Sequence, residues 1–434
     1  MNKEISVDKH LEKTHLPRVV VVGAGFAGIN LIKQLGHEDV QLVLVDKNNY
    51  HTFQPLVYQV ATASLEPGAI SSPVRGMFAG QENFHFRMAE ARRVDVDNYR
   101  LITSKGDITY DYLILANGAV GNYFGNEEVK QNTLTLNNLN DALAVREKFI
   151  ENFEEALLKR KNDVNKLMNV VIVGGGPTGV ELAGALSELR KDVLPKDYPD
   201  FNTDHLNIHL IEGLDRLLPA MSEKSGTQAE RYLQKMGVKI STGKMVESYS
   251  EDVVDLSDGT VIQSNLVIWA AGVKGNTIKG FSESQIEKGS LKVDAFNKVL
   301  ESNAIFAIGD VAFQKDKNFP KGLPKLAPVA IQQGTHLAKN FKKILRNRSL
   351  VPFKYTDKGV MATIGRAKAV VELPGSVHVA GRMGWLIWVF VHLFSIIGLR
   401  RKLAVMAHWA WSYFTFDKGN RLLLNQKSSD VGSS

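Results

Sequence analysis

The chain has 434 residues, 44% of them apolar and 23% charged, an ordinary globular composition that leaves room for two or three domains. It contains no cysteine, which excludes any relay of electrons through a thiol pair. The net charge is +7, and most of it sits in residues 361–434, which hold nine Lys and Arg against Glu372, Asp417 and Asp430.

Residues 1–10 have neither an apolar core nor an Arg- and Ser-rich amphipathic pattern, so no signal or transit peptide is expected there. Residues 19–28 then run from four valines into Gly23, Gly25 and Gly28, ahead of a helical stretch over 29–35. A buried parallel strand, a G-x-G-x-x-G turn and a helix form the context in which this motif binds a dinucleotide. The first glycine makes the turn, the second lets a pyrophosphate approach the backbone at the helix N-terminus, and the third lets helix pack on strand. The next strand, 40–45, ends at Asp46, where a carboxylate can accept hydrogen bonds from ribose hydroxyls. A further strand from Tyr112 closes on Ala116, Asn117 and Gly118.

The second half repeats this plan. Residues 170–173 lead into Gly174, Gly176 and Gly179, a helix follows over 180–186, and the strand 207–211 ends at Glu212. A strand from Leu266 again closes on small residues, Ala271 and Gly272. Two nucleotide-binding domains of related plan are implied. A carboxylate at Glu212 repels a 2′-phosphate by roughly 1–4 kcal/mol near 4 Å, depending on the local dielectric, which favours NADH over NADPH. Arg216 is the one nearby cation that could offset this. The stretch 191–205 carries no assignment. Later, residues 304–308 read as a strand ending in Gly309 and Asp310.

Toward the C-terminus, residues 384–399 carry no charge and are interrupted only by His392 and Ser395. Sixteen helical residues reach about 24 Å, short of a hydrocarbon core of roughly 30 Å. The segment is expected to lie on a bilayer rather than cross it. Arg400, Arg401 and Lys402 follow, then Leu403 to Phe416, and four of the five tryptophans fall between 385 and 411. Tryptophan favours the headgroup boundary and basic side chains are drawn to anionic lipid, so two short helices forming a monotopic anchor are predicted. A buried hairpin or a dimer interface is the structural alternative. Nucleic acid is not expected, because the aromatics alternate with aliphatics rather than with Lys and Arg. Residues 425–434 read as disordered.

The Gly309-Asp310 segment resembles that by which disulfide-reductase-like flavoproteins set an aspartate against the ribityl side of FAD. The chain as a whole resembles the type II NADH dehydrogenases, single-subunit, non-pumping NADH:quinone oxidoreductases. The resemblance runs from about Pro17 to Leu424 and rests on the segments 51–58, 174–181, 269–273, 308–310, 353–365 and 409–415. It implies an α/β fold of two Rossmann-like dinucleotide-binding domains with a C-terminal amphipathic helical membrane anchor. An FAD-binding domain would span 17–125 and 290–350, an NADH-binding domain 126–289, and a C-terminal domain 351–434, with membrane-surface helices at about 384–416.

The residues implied for FAD are Gly23, Gly25, Phe26, Ala27, Gly28, Asp46, Lys47, His51, Ala91, Ala116, Asn117, Gly118, Asp310 and Ala330. Those for NADH are Gly174, Gly176, Pro177, Thr178, Gly179, Glu181, Glu212, Ala271 and Gly272. Glu181 is expected to orient NADH or relay a proton, with His51 a weaker proton-path candidate. The family's Ala-Gln-x-Ala-x-Gln-Glu/Gln-Gly segment, beside flavin and quinone, corresponds to 327–334 here. Pro328 replaces its first Gln, and Gln332 and Gln333 keep the later amides. Hydride transfer needs placement more than acid or base, so no catalytic triad and no metal are expected. The implied acceptor is menaquinone or ubiquinone, and the implied state is a homodimer at an anionic membrane surface, on the cytoplasmic face of the cell membrane. The competing readings are a soluble NADH diaphorase or ferredoxin-type reductase, and an NADH-sensing flavoprotein that signals through a partner.

Overall fold

The computed structural model describes residues 11–159, 164–415 and 419–423. The expectations for residues 1–10, Phe416 and 425–434 fall outside the described residues. The chain divides into two compact units. The first runs to Thr52 and adds Ser71–Val120 and Val273–Asp357. The second comprises Phe53–Ile70, Gly121–Gly272 and the chain from Lys358 onward.

In the first unit a five-stranded parallel sheet is ordered Ile305–Ala307, Tyr112–Leu115, Arg18–Val22, Gln41–Asp46, Phe84–Met88. The central valines are fully buried, as expected of a parallel sheet covered on both faces. Helices Phe26–Leu35 and Ala327–Ile344 pack closely. A methyl group at Gly334 would stand 2.3 Å from the Ala27 carbonyl oxygen, so only glycine allows this approach.

The second unit repeats the sheet: Leu134–Thr135, Leu266–Trp269, Asn169–Val173, Asn207–Glu212, Lys239–Thr242, all parallel. The correspondence extends to single hydrogen bonds. Gly23 N–H donates to Val45 O at 2.8 Å and Gly174 N–H to Ile211 O at 2.7 Å. Ala116 N–H donates to Val22 O at 2.8 Å and Ala270 N–H to Val173 O at 2.7 Å. The unassigned 191–205 stretch prolongs the Pro177–Glu188 helix through a π-helical turn, Leu189–Val193, and the short helix Leu194–Asp197.

The same unit carries a three-stranded antiparallel sheet, Val360–Thr363, Ala369–Leu373 and Val377–Ala380. Two helices follow, Gly381–Ser395 and Leu399–Thr415. The first starts and ends earlier than the apolar run predicts: Ile396 is already extended after Ser395, and Gly398, at φ +90°, turns the chain before Leu399. Arg400, Arg401 and Lys402 consequently open the second helix instead of separating the two. Trp388 is buried, while Met383, Leu386, Phe390 and Phe394 form an exposed stripe at helical spacing. Among the described residues no helix is long and apolar enough to cross a membrane.

Candidate functional site

The two glycine turns share one geometry. Gly23 and Gly174 have φ of +107° and +112°, and a Cβ on either would lie 2.4 Å from the carbonyl oxygen of Ala116 or Ala270. A Cβ on Gly28 or Gly179 would fall 2.1 or 1.9 Å from the carbonyl oxygen of Gly23 or Gly174. The middle glycines differ in kind. A Cβ at Gly25 would meet nothing nearer than Ala116 O at 3.9 Å, and one at Gly176 nothing within 4 Å. Their faces are open at the start of helices Phe26–Leu35 and Pro177–Glu188, neither of which has an acidic residue in its first turn. An open backbone at a positive helix end fits the pyrophosphate of a dinucleotide at each turn.

The acidic strand ends brace these turns. Asp46 accepts from Ala24 N–H and Asn48 N–H, both at 2.7 Å, and burial raises its pKa against those bonds. Glu212 accepts from Gly175 N–H at 2.6 Å and Leu214 N–H at 2.8 Å. Each carboxylate oxygen keeps a lone pair for a ribose hydroxyl. Arg216 is engaged elsewhere, donating to Met221 O at 2.8 Å and Pro219 O at 3.0 Å, which weakens the case for a 2′-phosphate. Lys47 is exposed beside Asp46.

Other expected FAD residues gather near the first turn. His51 is buried, with Nδ1 2.7 Å from Ala24 O and its ring edge-on to Phe26 at 5.3 Å. Asn117 Nδ2 donates to Asn276 O, and its buried Oδ1 has no partner among the described residues, an acceptor left over for a ligand. Gly118 is in the left-handed region at φ +70°. A Cβ on Gly309 would sit 3.3 Å from Ala27 and 3.4 Å from Ala330, so these alanines seat the turn that presents Asp310. Burial raises the pKa of Asp310, opposed by Lys325, whose ammonium donates to the Asp310 carbonyl oxygen. Ala91 opens the antiparallel strand Ala91–Asp95 and pairs with Thr103.

The two glutamines are occupied by the protein. Gln333 is buried, accepts from Gly309 N–H at 2.7 Å and donates to Gln314 at 2.9 Å. Gln332 exchanges two hydrogen bonds with the Thr356 backbone, at 2.9 and 3.0 Å. Gln333 therefore fixes the Gly309 turn, and Gln332 ties helix Ala327–Ile344 to the segment beyond it.

Pro177 and Thr178 start the second turn's helix, Ala271 follows the paired Ala270, and Gly272, at φ +127°, has open space at its Cβ position. One turn into the same helix, Glu181 is 9% exposed and lines an open cavity of about 620 Å³. Burial pushes its pKa up to about 8, so the carboxyl holds its proton at neutral pH. Thr363 N–H, at 3.3 Å, and the Trp388 indole both pull the other way. The indole Nε1 is buried and makes no hydrogen bond of standard geometry, yet its N–H lies close enough to favour the carboxylate.

The sequence alone does not assign the residues around Glu181. Tyr58 and Gln59 come from helix Val57–Ala61, where Gln59 donates to the Tyr58 hydroxyl at 2.9 Å and accepts from Trp409 Nε1 at 2.8 Å. Burial and Glu181 raise the Tyr58 pKa. Arg366 lies over the Tyr413 ring at 4.5 Å, and its backbone N–H donates to Glu188. Glu188 had a signal: seven residues past Glu181, it returns to the same helix face. The tryptophans had none beyond their number. Among the described residues no group of three His, Cys, Asp or Glu is placed to hold a metal ion.

Residues 17–334 match the family model of the pyridine nucleotide-disulphide oxidoreductases, and residues 358–415 that of the NDH2 C-terminal domain. The chain is 32% identical over 430 residues to the type II NADH:quinone oxidoreductase Ndh of Mycobacterium tuberculosis, covering 95% of this chain and 91% of that protein. The Haemophilus influenzae type II NADH:quinone oxidoreductase is 30% identical over 390 residues, covering 82% and 87%. The solved structure of NDH2 from Plasmodium falciparum in complex with NADH superposes with a TM-score of 0.86, at 20% identity, over 95% of this chain and all of that one. At that identity the likeness speaks for the fold.

Proposed function

Because the chain belongs to the type II NADH:quinone oxidoreductase family, we propose that it passes two electrons from NADH by way of FAD to a quinone, without proton pumping. The observation that carries this reading is the Glu181 cavity, an aromatic-walled opening around a buried carboxyl whose pKa burial pushes up to about 8. When bound, FAD supplies the redox chemistry, accepting a hydride from NADH and passing two electrons on.

The chain's own residues supply placement. Gly23, Gly25 and Gly28 would admit the FAD pyrophosphate, Asp46 would receive the adenosine ribose, and Asp310 would serve the ribityl side. Gly174, Gly176 and Gly179 would do the same for NADH, with Glu212 at its ribose. NADH brings one of the two hydrogens that a quinol needs, and the second comes from water. Glu181, poised near neutrality, is suited to hold that proton where water is scarce. In this reading Gln332 and Gln333 act by positioning, through Thr356 and Gly309, and His51 by holding Ala24.

The exposed stripe of Met383, Leu386, Phe390 and Phe394, with Trp411 and Phe414 on the next helix, supports a peripheral position on an anionic bilayer. Menaquinone or ubiquinone would be delivered there. A homodimer on the cytoplasmic face of the cell membrane completes the reading, and the mass of the detergent-free protein in solution tests the dimer.

The deciding experiment follows NADH oxidation by FAD-loaded protein with a short-chain quinone. Rapid turnover that falls at least ~100-fold in Glu181→Gln supports the reading, since general acid–base groups typically contribute that much or more. No turnover with any quinone, beside rapid reduction of a soluble one-electron acceptor, refutes it.

A further inference from the structure

A second pocket, open to solvent, lies within the second unit and is lined in part by two elements that also build the Glu181 site. Ala61, Thr62 and Ala63 end the helix that carries Tyr58, and Leu189 continues the helix that carries Glu181. The remaining wall is largely apolar, with Phe149, Ile150 and Phe153 on one side and Leu194 on the other, all buried. Into this lining the helix Leu139–Leu158 sets Arg146, which is only 4% exposed.

Among the described residues Arg146 has no counter-ion. Its Nε is buried without an acceptor, and no carboxylate among the described residues pairs with it. The one charge it feels, Glu147, is its chain neighbour and lies about 100° away around the helix. A desolvated guanidinium is retained only where something compensates it, and its N–H groups require acceptors. The other polar groups of the cavity are already used. Arg421 pairs with Asp197 at 3.1 Å, the Thr62 hydroxyl donates to Tyr58 O at 3.0 Å, and Tyr198 donates to Glu154 at 2.8 Å.

We propose that this cavity is a binding site for a small carboxylate monoanion with a short hydrocarbon chain, held by the Arg146 guanidinium. One uncompensated positive charge selects one negative charge. The planar fork matches a carboxylate through two parallel hydrogen bonds. The largely apolar walls accept a short chain, and because Arg421 and Tyr198 are engaged by Asp197 and Glu154 they leave a phosphate or sulfate no second free cation. The site is independent of the redox reading, because it rests on a residue that reading does not use.

Thermal unfolding of the full-length FAD-loaded protein, with butyrate replacing chloride at constant ionic strength, tests it. The wild type is expected to gain a constant increment in Tm for each tenfold rise in butyrate above its Kd. Phosphate at equal ionic strength should give no such rise. Arg146→Met should show no butyrate-specific rise, and in butyrate-free buffer should be at least as stable as the wild type, because it removes an uncompensated buried charge. Arg146→Lys, which keeps the charge but not the fork, should respond more weakly than the wild type, and it decides the matter if the Met variant does not fold. Equal responses of wild type and variant, an equal rise with phosphate, or a Met variant much less stable without butyrate would each overturn the proposal.

Discussion

Replacing Glu181 by Gln tests the electrostatics of the cavity apart from catalysis. In the folded chain the carboxyl titrates near 8, whereas its ordinary value is 4.5. The folded state therefore binds this proton more tightly than the unfolded state. The stability it contributes is complete below pH 4.5 and is lost progressively as pH rises to about 8. A tenfold difference in proton affinity corresponds to about 1.4 kcal/mol, so between about pH 5.5 and about pH 9 the wild type should lose roughly 3 kcal/mol that the Gln variant keeps. The side chain is almost fully enclosed, so solvent screening takes little from that figure. Paired denaturant-unfolding curves of the two FAD-loaded proteins at the two pH values read the difference directly. The Gln variant should match or trail the wild type in acid and surpass it in alkali. Parallel pH dependence of both proteins would show that Glu181 titrates as an ordinary carboxylate, and the argument for a neutral proton store would fall with it.

Other perturbations address the scaffold. Asp46→Ala removes two backbone hydrogen bonds to a charged acceptor, each worth about 1.5–3 kcal/mol, and should release FAD on gel filtration where the wild type retains it. Glu212→Ala should raise the KM for NADH, and narrow its preference over NADPH, with FAD content unchanged. Gly334→Ala pushes a methyl into the Ala27 carbonyl oxygen, 2.3 Å away, and should cost about 1–3 kcal/mol in denaturant unfolding as the two helices separate. A Phe390→Glu, Phe394→Glu pair, on the exposed stripe, should abolish sedimentation with anionic vesicles while NADH oxidation with a water-soluble acceptor stays near the wild-type rate.

The nucleotide turns were legible because their chemistry is local. Each needs a buried strand, a glycine at positive φ, a glycine against the following backbone, and a carboxylate at the next strand end, all within about 40 residues and repeated in order. Gly23 with Asp46 and Gly174 with Glu212 accordingly stand where the pattern puts them. The tail was legible as two amphipathic helices, but its break was not, because Gly398 looks like any other small residue inside an apolar run. The least legible part is the environment of Glu181. Its cavity draws on helix Val57–Ala61, on the turn after Val360–Thr363, and on Trp388 and Trp409 from two further helices. No spacing rule connects residues that far apart in the chain.

This distribution has a consequence for the chemistry. The turns proposed to receive the nucleotides are built from backbone and one carboxylate each, whereas the group suited to hold a proton takes its raised pKa from burial, opposed by groups contributed late in the chain. Thr363 and Trp388 both pull the Glu181 pKa down, and burial outweighs them. The same aromatic helices that expose Phe390 and Phe394 outward thus close over Glu181 with Trp388 inward. Loosening those helices should both expose the carboxyl and lower its pKa toward the ordinary range, which would link attachment to a surface with readiness to hold the proton. Trp388→Ala separates the two effects. It removes the inward contact while leaving the outward stripe; water admitted to the carboxyl lowers its pKa by more than loss of the indole N–H raises it, so the pH profile of quinone reduction should shift toward acid without weakening vesicle binding.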